Sequence, residues 1–514
     1  MDVARRVVIT GMGMISPIGN DCESAWQSIL ENKCGIDSIT HFDCSDYKVK
    51  LAAEVKNFHP EDYLEKRASK LNDRFVQFAR VASIEAINQS GLDLESLDLN
   101  RLGVIIGSGI GGIETIETCK ERLMEKGNAK VSPYFIPMSL INLAAGQVAM
   151  DHHAHGYCSS VVSACAAGSN AIGEAFHKIR DGYQDVMLAG GSEASITPLA
   201  IAGFQSMRAL HTGEDKNRAS IPFDQERSGF VMGEGAGILV LEEYEHAKQR
   251  KAKILAELVG YGMSCDAYHI TAPREDGQIA AQAMKNACKD AKISSDEIDY
   301  VNAHGTSTKL NDVSETKAIK EVFSHPVYVS STKGNTGHLL GAAGAIEAIF
   351  CIQALQEQMI PATIHYQKKD DDTSKETSES NIKEIRNIDT LNKMIENKET
   401  FLLLIYLNGC TSCAAFKPIV EELAATKQVD IFSISLDEVK DKYEDIKYTP
   451  AFLIYKEGEL VSYLDANKDE DTMYYENLYN LSTYVSKYLD IEVNSSDTTN
   501  EETNCENACS LTND

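Results

Sequence analysis

The sequence predicts an α/β fold, and three local patterns predict it. First, the apolar β-type run at Val161-Val162 passes through Ser163-Ala164-Cys165-Ala166-Ala167-Gly168-Ser169 into a helical spacing at Ile172, Ala175, Phe176 and Ile179. That reads as strand, tight turn, helix. Second, Gly341-Ala342-Ala343-Gly344 echoes Cys165-Ala166-Ala167-Gly168, and each opens an apolar helix pattern. The echo suggests a duplicated half. Third, the buried-strand pattern Phe401-Leu402-Leu403-Leu404-Ile405-Tyr406 runs into Cys410-Thr411-Ser412-Cys413 and then a helix carrying Phe416, Ile419, Val420 and Leu423.

The first unit places a thiol at a helix start, where the helix dipole favours a thiolate. A small buried core cysteine fits the same lone pattern. Two later motifs favour chemistry. Asn302-Ala303-His304-Gly305-Thr306-Ser307-Thr308 follows the strand-like Ile298-Asp299-Tyr300-Val301, and Lys333-Gly334-Asn335-Thr336-Gly337-His338 precedes the Gly341 turn. Each sets a histidine in a turn, from which it can point into a pocket. One cysteine and two turn-borne histidines suit carbon–carbon bond formation on a thioester. The thiolate holds the acyl group, and the imidazoles donate hydrogen bonds to an oxygen that gains negative charge.

These residues resemble the beta-ketoacyl-ACP synthases, of the synthase II type with a Cys-His-His centre. The resemblance runs from about Arg5 to about Tyr366. It includes Val7-Val8-Ile9-Thr10-Gly11-Met12-Gly13, Gly107-Ser108-Gly109-Ile110-Gly111-Gly112, Ala189-Gly190-Gly191-Ser192-Glu193, Pro222 through Phe230, and Met232-Gly233-Glu234-Gly235-Ala236-Gly237. It implies a thiolase-type layered αβαβα fold, with residues 1–250 as one half and 251–367 as the other, usually as a homodimer. It also implies that Cys165, His304 and His338 are catalytic, with Lys333 and Glu347 as a supporting pair. Arg67, Lys70 and Arg208, with Arg74 a turn beyond Lys70, match the basic residues that receive acyl carrier protein; a solvated helix face is the alternative. Ile110 and Phe204 match positions lining the acyl tunnel, or are plain core. Substrates would arrive on the phosphopantetheine of the carrier protein, with no metal or redox cofactor needed.

The resemblance stops after Gln367. Members of the family continue into two more strands joined by a Gly-Phe-Gly-Gly-type loop, which supplies a second oxyanion N–H and a gating phenylalanine. Here the chain turns to Lys368-Lys369-Asp370-Asp371-Asp372, and no such loop follows. The expected second half is therefore incomplete.

Residues 368–380 read as a polar linker and 490–514 as a disordered acidic tail. Between them, residues 381–489 resemble a thioredoxin-like domain. Cys410 and Cys413 match its redox pair, Pro450 its cis-proline and Pro418 the proline of the following helix. Gly409 and Thr411-Ser412 depart from that family's Trp and Gly-Pro, which leaves redox direction and partner open. Half of a zinc site, or two unreactive thiols, are the alternatives.

Composition narrows the rest. A formal net charge of −28 disfavours nucleic acid and anionic membranes as partners. The 13 scattered cysteines do not form a secreted disulfide framework. No apolar run is long enough to span a membrane and the N-terminus lacks a signal-peptide core, so a cytoplasmic protein is expected. Asp151-His152-His153-Ala154-His155 reads as a surface or interface turn. The loop Gly107–Gly112 lacks dinucleotide spacing. The favoured function is decarboxylative condensation of acyl-ACP with malonyl-ACP in fatty-acid elongation. The alternatives are a thiol–disulfide oxidoreductase or an interaction module carried on an inactive, truncated synthase.

Overall fold

The computed structural model describes residues 5–370 and, apart from short gaps that include 408–410, residues 382–493. The chain divides into two compact units, the first made of residues 1–266 and 272–374 and the second chiefly of residues 375–514.

The first unit is built on β1 (Val7–Ile15), β2 (Leu102–Gly107), β3 (Cys158–Ser159), β4 (Val186–Glu193), β5 (Gly235–Glu243) and β6 (Ala256–Leu258). Their order across the sheet is β3-β2-β4-β5-β1-β6. β2 is parallel to β3 and β4, whereas β5 runs antiparallel to both β4 and β1. Every residue of β1, β2, β4 and β5 is buried, which is why these segments read as near-continuous apolar runs rather than alternating ones.

The pleat divides those runs between two layers. Val186, Leu188, Ile238 and Val240 pack with Phe75, Phe78, Ala79 and Ala82 of α1 (Arg74–Ser90). Their neighbours Met187, Ala189, Leu239 and Leu241 face the opposite layer. There they meet α2 (Ala167–Arg180), through Ala171, Ile172, Ala175 and Phe176, and the later helix that carries Ile346, Ile349 and Phe350. Each large apolar side chain buried this way contributes roughly 1.5–3 kcal/mol.

The second half of this unit holds β7 (Tyr300–Asn302) and β8 (Tyr328–Ser330), a parallel pair, together with α3 (Lys309–Val322) and α4 (Ala343–Glu357). The echo between Cys165 and Gly341 is real at the backbone. Ala164–Ala166 and Leu340–Ala342 are both single 3-10 turns leading directly into α2 and α4. Ala164 and Leu340, each one residue before the echoed motif, share a positive φ, 49° and 46°.

The second unit has β9 (Ile382–Glu384), β10 (Phe401–Tyr406), β11 (Ile431–Ser435), β12 (Ala451–Lys456) and β13 (Glu459–Asp465), in the order β9-β11-β10-β12-β13. β10 is parallel to β11 and antiparallel to β12. Leu402 and Leu404 face α5 (Thr411–Lys427) through Phe416, Val420 and Leu423. Phe401, Leu403 and Ile405 face the other layer, with Leu391 and Met394.

Three expectations need correction. The strand expected at Val161-Val162 is confined to Cys158–Ser159; it is an edge strand with β2 as its single neighbour, and Val162 is 58% exposed. Arg74 does not extend the basic face. Its guanidinium forks onto buried Glu234 at 3.0 and 2.8 Å and lies over the Phe78 ring, because an Arg at this position is the partner that makes a buried carboxylate tolerable. His152 is not on the surface: it is buried with Nε2 2.9 Å from Ser83 Oγ, next to the Arg80–Asp151 ion pair.

Candidate active site

Three turns bring the chemistry together. Cys165 occupies the 3-10 turn that begins at Ala164, whose left-handed backbone costs a non-glycine residue about 1–2 kcal/mol. His304 follows β7. Its backbone N–H and that of Gly305 donate to the Glu315 carboxylate of α3 at 2.6 and 2.7 Å. His338 follows the single helical turn Lys333–Thr336. Its ring Nε2 lies 2.9 Å from Cys165 Sγ. The His304 and His338 rings meet edge-on, with centroids 5.1 Å apart. Lys333, 1% exposed, ion-pairs with Glu347 of α4. The five expected residues therefore assemble, through turns and the helix α4 from both halves of the fold.

Their electrostatics differ from the expectation for a helix-start thiol. Burial pushes the Cys165 thiol up to about 11, against the favourable charge of Lys333. The reason is geometric: Cys165 precedes α2 with its half-buried thiol against His338 and the apolar cluster, and desolvation outweighs the dipole. Burial holds His304 down to about 3, and Lys333 adds to that effect. The same two causes, together with His304, take His338 well below the imidazole range. Both rings are therefore neutral near pH 7, each with one N–H to donate and one lone pair. Burial raises Glu347 and Glu315. A neutral imidazole against a thiol can take its proton, and two imidazoles side by side can donate to one oxygen. Among the described residues, Cys165, His304 and His338 are also the group that could hold a metal ion, their ligand atoms lying within 4.8 Å of one another.

Ile110 and Phe204 pack in the same apolar cluster as Cys165, along with Ile196, Ile201 and Leu340. Phe230 extends that wall to the histidines, with its ring centroid 5.5 Å from Phe204 and 5.2 Å from His338. A cavity of about 200 Å³ reaches His304 and is walled by Asp266, Met284, Asn311, Ser314 and Glu315. Arg67 and Lys70, on the short helix Lys66–Lys70, are exposed, as is Arg208. In the second unit Cys413 is buried in the first turn of α5. Cys410 lies outside the described residues. The Thr449–Pro450 bond is cis, and Pro450 leads into β12.

Sequence reasoning missed three members of this surround. Glu193 and Phe230 stand inside quoted motifs but drew no role, and Glu315 drew no notice. A signal existed for Glu193, an acid that with Ser192 closes a strand made of apolar residues and glycine up to that point. Nothing in the spacing of Glu315 ties it to His304, because the contact is through backbone N–H groups.

Comparison with known proteins follows the same division. Residues 4–247 match the model of the beta-ketoacyl synthase N-terminal domain, residues 255–367 that of the beta-ketoacyl synthase C-terminal domain, and residues 382–476 that of thioredoxin. The chain is 50% identical over 368 residues to a 3-oxoacyl-acyl-carrier-protein synthase 2 of Staphylococcus aureus, covering 71% of this chain and 89% of that protein. It is 49% identical over 366 residues to the protein of the same name in Vibrio cholerae, covering 70% of this chain and 88% of that one. Among solved structures it is similar to a ketosynthase in complex with a type II polyketide acyl-carrier protein, with TM-score 0.67 and 36% identity over 72% of this chain and 91% of that one. It is also similar to a beta-ketoacyl synthase from Burkholderia phymatum, with TM-score 0.67 and 34% identity over 72% of this chain and 90% of that one.

Proposed function

The chain belongs to the beta-ketoacyl synthase family, and on that premise we propose that it is a 3-oxoacyl-ACP synthase of fatty-acid elongation. The single observation that carries the reading is the contact of Cys165 Sγ with His338 Nε2 at 2.9 Å, with His304 against the same ring. The acyl group leaves its carrier thiol for Cys165, whose proton passes through a neighbouring imidazole to the departing carrier thiolate, so that the ring is neutral again. Malonyl-ACP follows. Loss of CO2 leaves an enolate whose oxygen accepts hydrogen bonds from His304 and His338. The carbanion then attacks the acyl thioester, and the Cys165 thiolate leaves as 3-oxoacyl-ACP forms. Lys333 and Glu347 orient and charge the histidine side of the pocket. Ile110 and Phe204 line the acyl pocket.

Arg67, Lys70 and Arg208 receive the acyl carrier protein in this proposal. Their exposure in a chain of net charge −28 supports it, since local basic residues are what an acidic partner would find. A homodimer through the β3 edge fits the exposed Tyr157 and Val162. The working domains are 1–250 and 251–367 for the synthase, then 381–489. Among the described residues no helix is long and apolar enough to cross a membrane; a cytoplasmic location stays part of the proposal.

The synthase should be slow. No Gly-Phe-Gly-Gly loop follows Gln367, and the loss of one oxyanion donor lowers rate by on the order of 100-fold. Condensation of acyl-ACP with malonyl-ACP by the purified full chain, timed beside the Staphylococcus aureus relative, tests both points. No 3-oxoacyl product at any enzyme concentration would sink the synthase reading. A rate equal to the relative would mean that another segment supplies the donor.

A second reading attaches to the C-terminal unit, where the thioredoxin match covers Cys413, buried at the start of α5. In it, residues 381–489 act as a thiol–disulfide oxidoreductase, with Cys410 attacking, Cys413 resolving and Pro450 matching that family's cis-proline. Cys413→Ser should trap mixed disulfides through Cys410, while Cys410→Ser should trap none. Independent oxidation of the two thiols in graded redox buffers, or stoichiometric zinc, would leave an interaction module instead.

A further inference from the structure

Three backbone segments meet at one carboxylate beside the Cys165 turn. Glu193, the last residue of β4, is fully buried. Its Oε1 accepts from Ser108 Oγ at 3.0 Å, Ser195 Oγ at 3.2 Å, Ile110 N at 3.1 Å and Gly111 N at 3.3 Å. Its Oε2 accepts from Gly109 N at 2.6 Å and Gly341 N at 3.0 Å. These partners are all donors, the surround that a carboxylate anion needs when it leaves water. Burial raises Glu193 while the backbone N–H groups hold it down.

The packing around this carboxylate leaves no slack. A Cβ on Gly109 would sit 2.9 Å from Glu193 Oε2 and 3.5 Å from Ala164 Cα. A Cβ on Gly341 would sit 2.5 Å from Gly109 N and 2.8 Å from both Glu193 Oε2 and Ser108 Cα. The loop 108–111 is thus pressed onto the residue before Cys165 on one side and onto the echoed turn at Gly341 on the other. Ile110, carried by that loop, enters the apolar cluster that holds the Cys165 side chain.

We infer that Glu193 is a positioning residue that sets acyl-chain preference, by pinning the loop that carries Ile110 against the Cys165 and Gly341 turns. The inference rests on the acyl-transfer reading above. Glu193 never touches the substrate: it acts through the backbone N–H groups of Gly109, Ile110 and Gly341. Its charge also reaches the thiol. The charged and titratable groups acting at Cys165 are Lys333, which favours the thiolate, and Glu193 and Glu347, which oppose it. The two imidazoles there, His304 and His338, are neutral. Loss of the Glu193 charge therefore moves the thiol down.

Glu193→Gln and Glu193→Asp in the full chain test the inference. Glutamine turns an N–H toward one of the donors and removes the charge. Aspartate keeps the charge and withdraws it by one methylene. Two readouts are needed: intact-mass acylation of Cys165 from short-, medium- and long-chain acyl-ACP, and alkylation of Cys165 by iodoacetamide across pH, which requires no turnover. Both variants should change the ratio of long- to short-chain acylation. Glu193→Gln should also raise alkylation at a fixed pH, by about tenfold if the midpoint falls by one unit, whereas Glu193→Asp should leave that midpoint in place. Should Glu193→Gln fail to fold, Ser108→Ala carries the test, because it deletes a single donor to Oε1; a smaller shift in chain ratio is expected from it. Acylation with the parental chain ratio in the folded variants overturns the inference alone. A parental chain that is alkylated at Cys165 but acylated by no chain length overturns the acyl-transfer reading and the inference with it.

Discussion

Cys165→Ser should show no added acyl mass after incubation with long-chain acyl-ACP, and condensation should fall on the order of 10³-fold or more, the scale on which loss of a nucleophile acts. The expectation follows from placement. Cys165 is the residue that meets His338 at 2.9 Å and the Ile110–Phe204 cluster together. Serine preserves the shape but offers a hydroxyl far harder to deprotonate than the thiol. The parental thiol gives a matching pH signature. Because burial holds it up to about 11, its alkylation rate should keep climbing past about pH 10, where a free thiol at about 8.5 has levelled off. Acylation that persists in Cys165→Ser would assign the nucleophile elsewhere.

His304→Ala and His338→Ala should each lower malonyl-ACP decarboxylation on the order of 100-fold, with a smaller loss of Cys165 acylation. In the proposed mechanism each removes one N–H from the place where the enolate oxygen forms. The losses in the double variant should fall short of their product, because the two donors serve one oxygen. Parental decarboxylation in either variant would remove that role. Neither ring titrates between pH 5 and 8, since burial keeps both neutral, so their contribution should be flat across that range. The stability effect has a definite sign. Folded His304 binds its proton only near pH 3, whereas in the unfolded chain it does so near 6.5. Between those values the unfolded state binds more protons, so stability falls as pH drops through that window. His304→Ala should reduce this acid-side loss, read as the denaturation midpoint against pH.

Much of the site was legible in the chain. Cys165, His304 and His338 each stand in a turn, and that local pattern survives in the folded protein as a 3-10 turn at Cys165, a post-strand loop at His304 and the residues just after one helical turn at His338. The split of strand residues between two cores followed from period-2 geometry acting on continuous apolar runs. Less legible was everything set by contacts between distant segments. Arg74 read as part of a basic helix face and instead became the partner of Glu234, 160 residues away. His152 read as surface and is buried on Ser83.

The sequence by itself determined the α/β class, the two-unit organisation, the turns that present the thiol and imidazoles, and the break in pattern after Gln367. These are local properties: hydrophobic period, turn chemistry and composition act over a few neighbouring residues. Only the tertiary structure decided how burial shifts the thiol and the imidazoles, and where Glu193, Glu315 and Phe230 sit. A helix start alone would lower the Cys165 thiol, yet in the fold it is raised, because the half-buried thiol packs into the apolar cluster with Ile110 and Leu340 and against the His338 ring. Desolvation is a property of everything that surrounds a group, and those surroundings come from positions up to 176 residues away along the chain, the separation of Cys165 and Gly341.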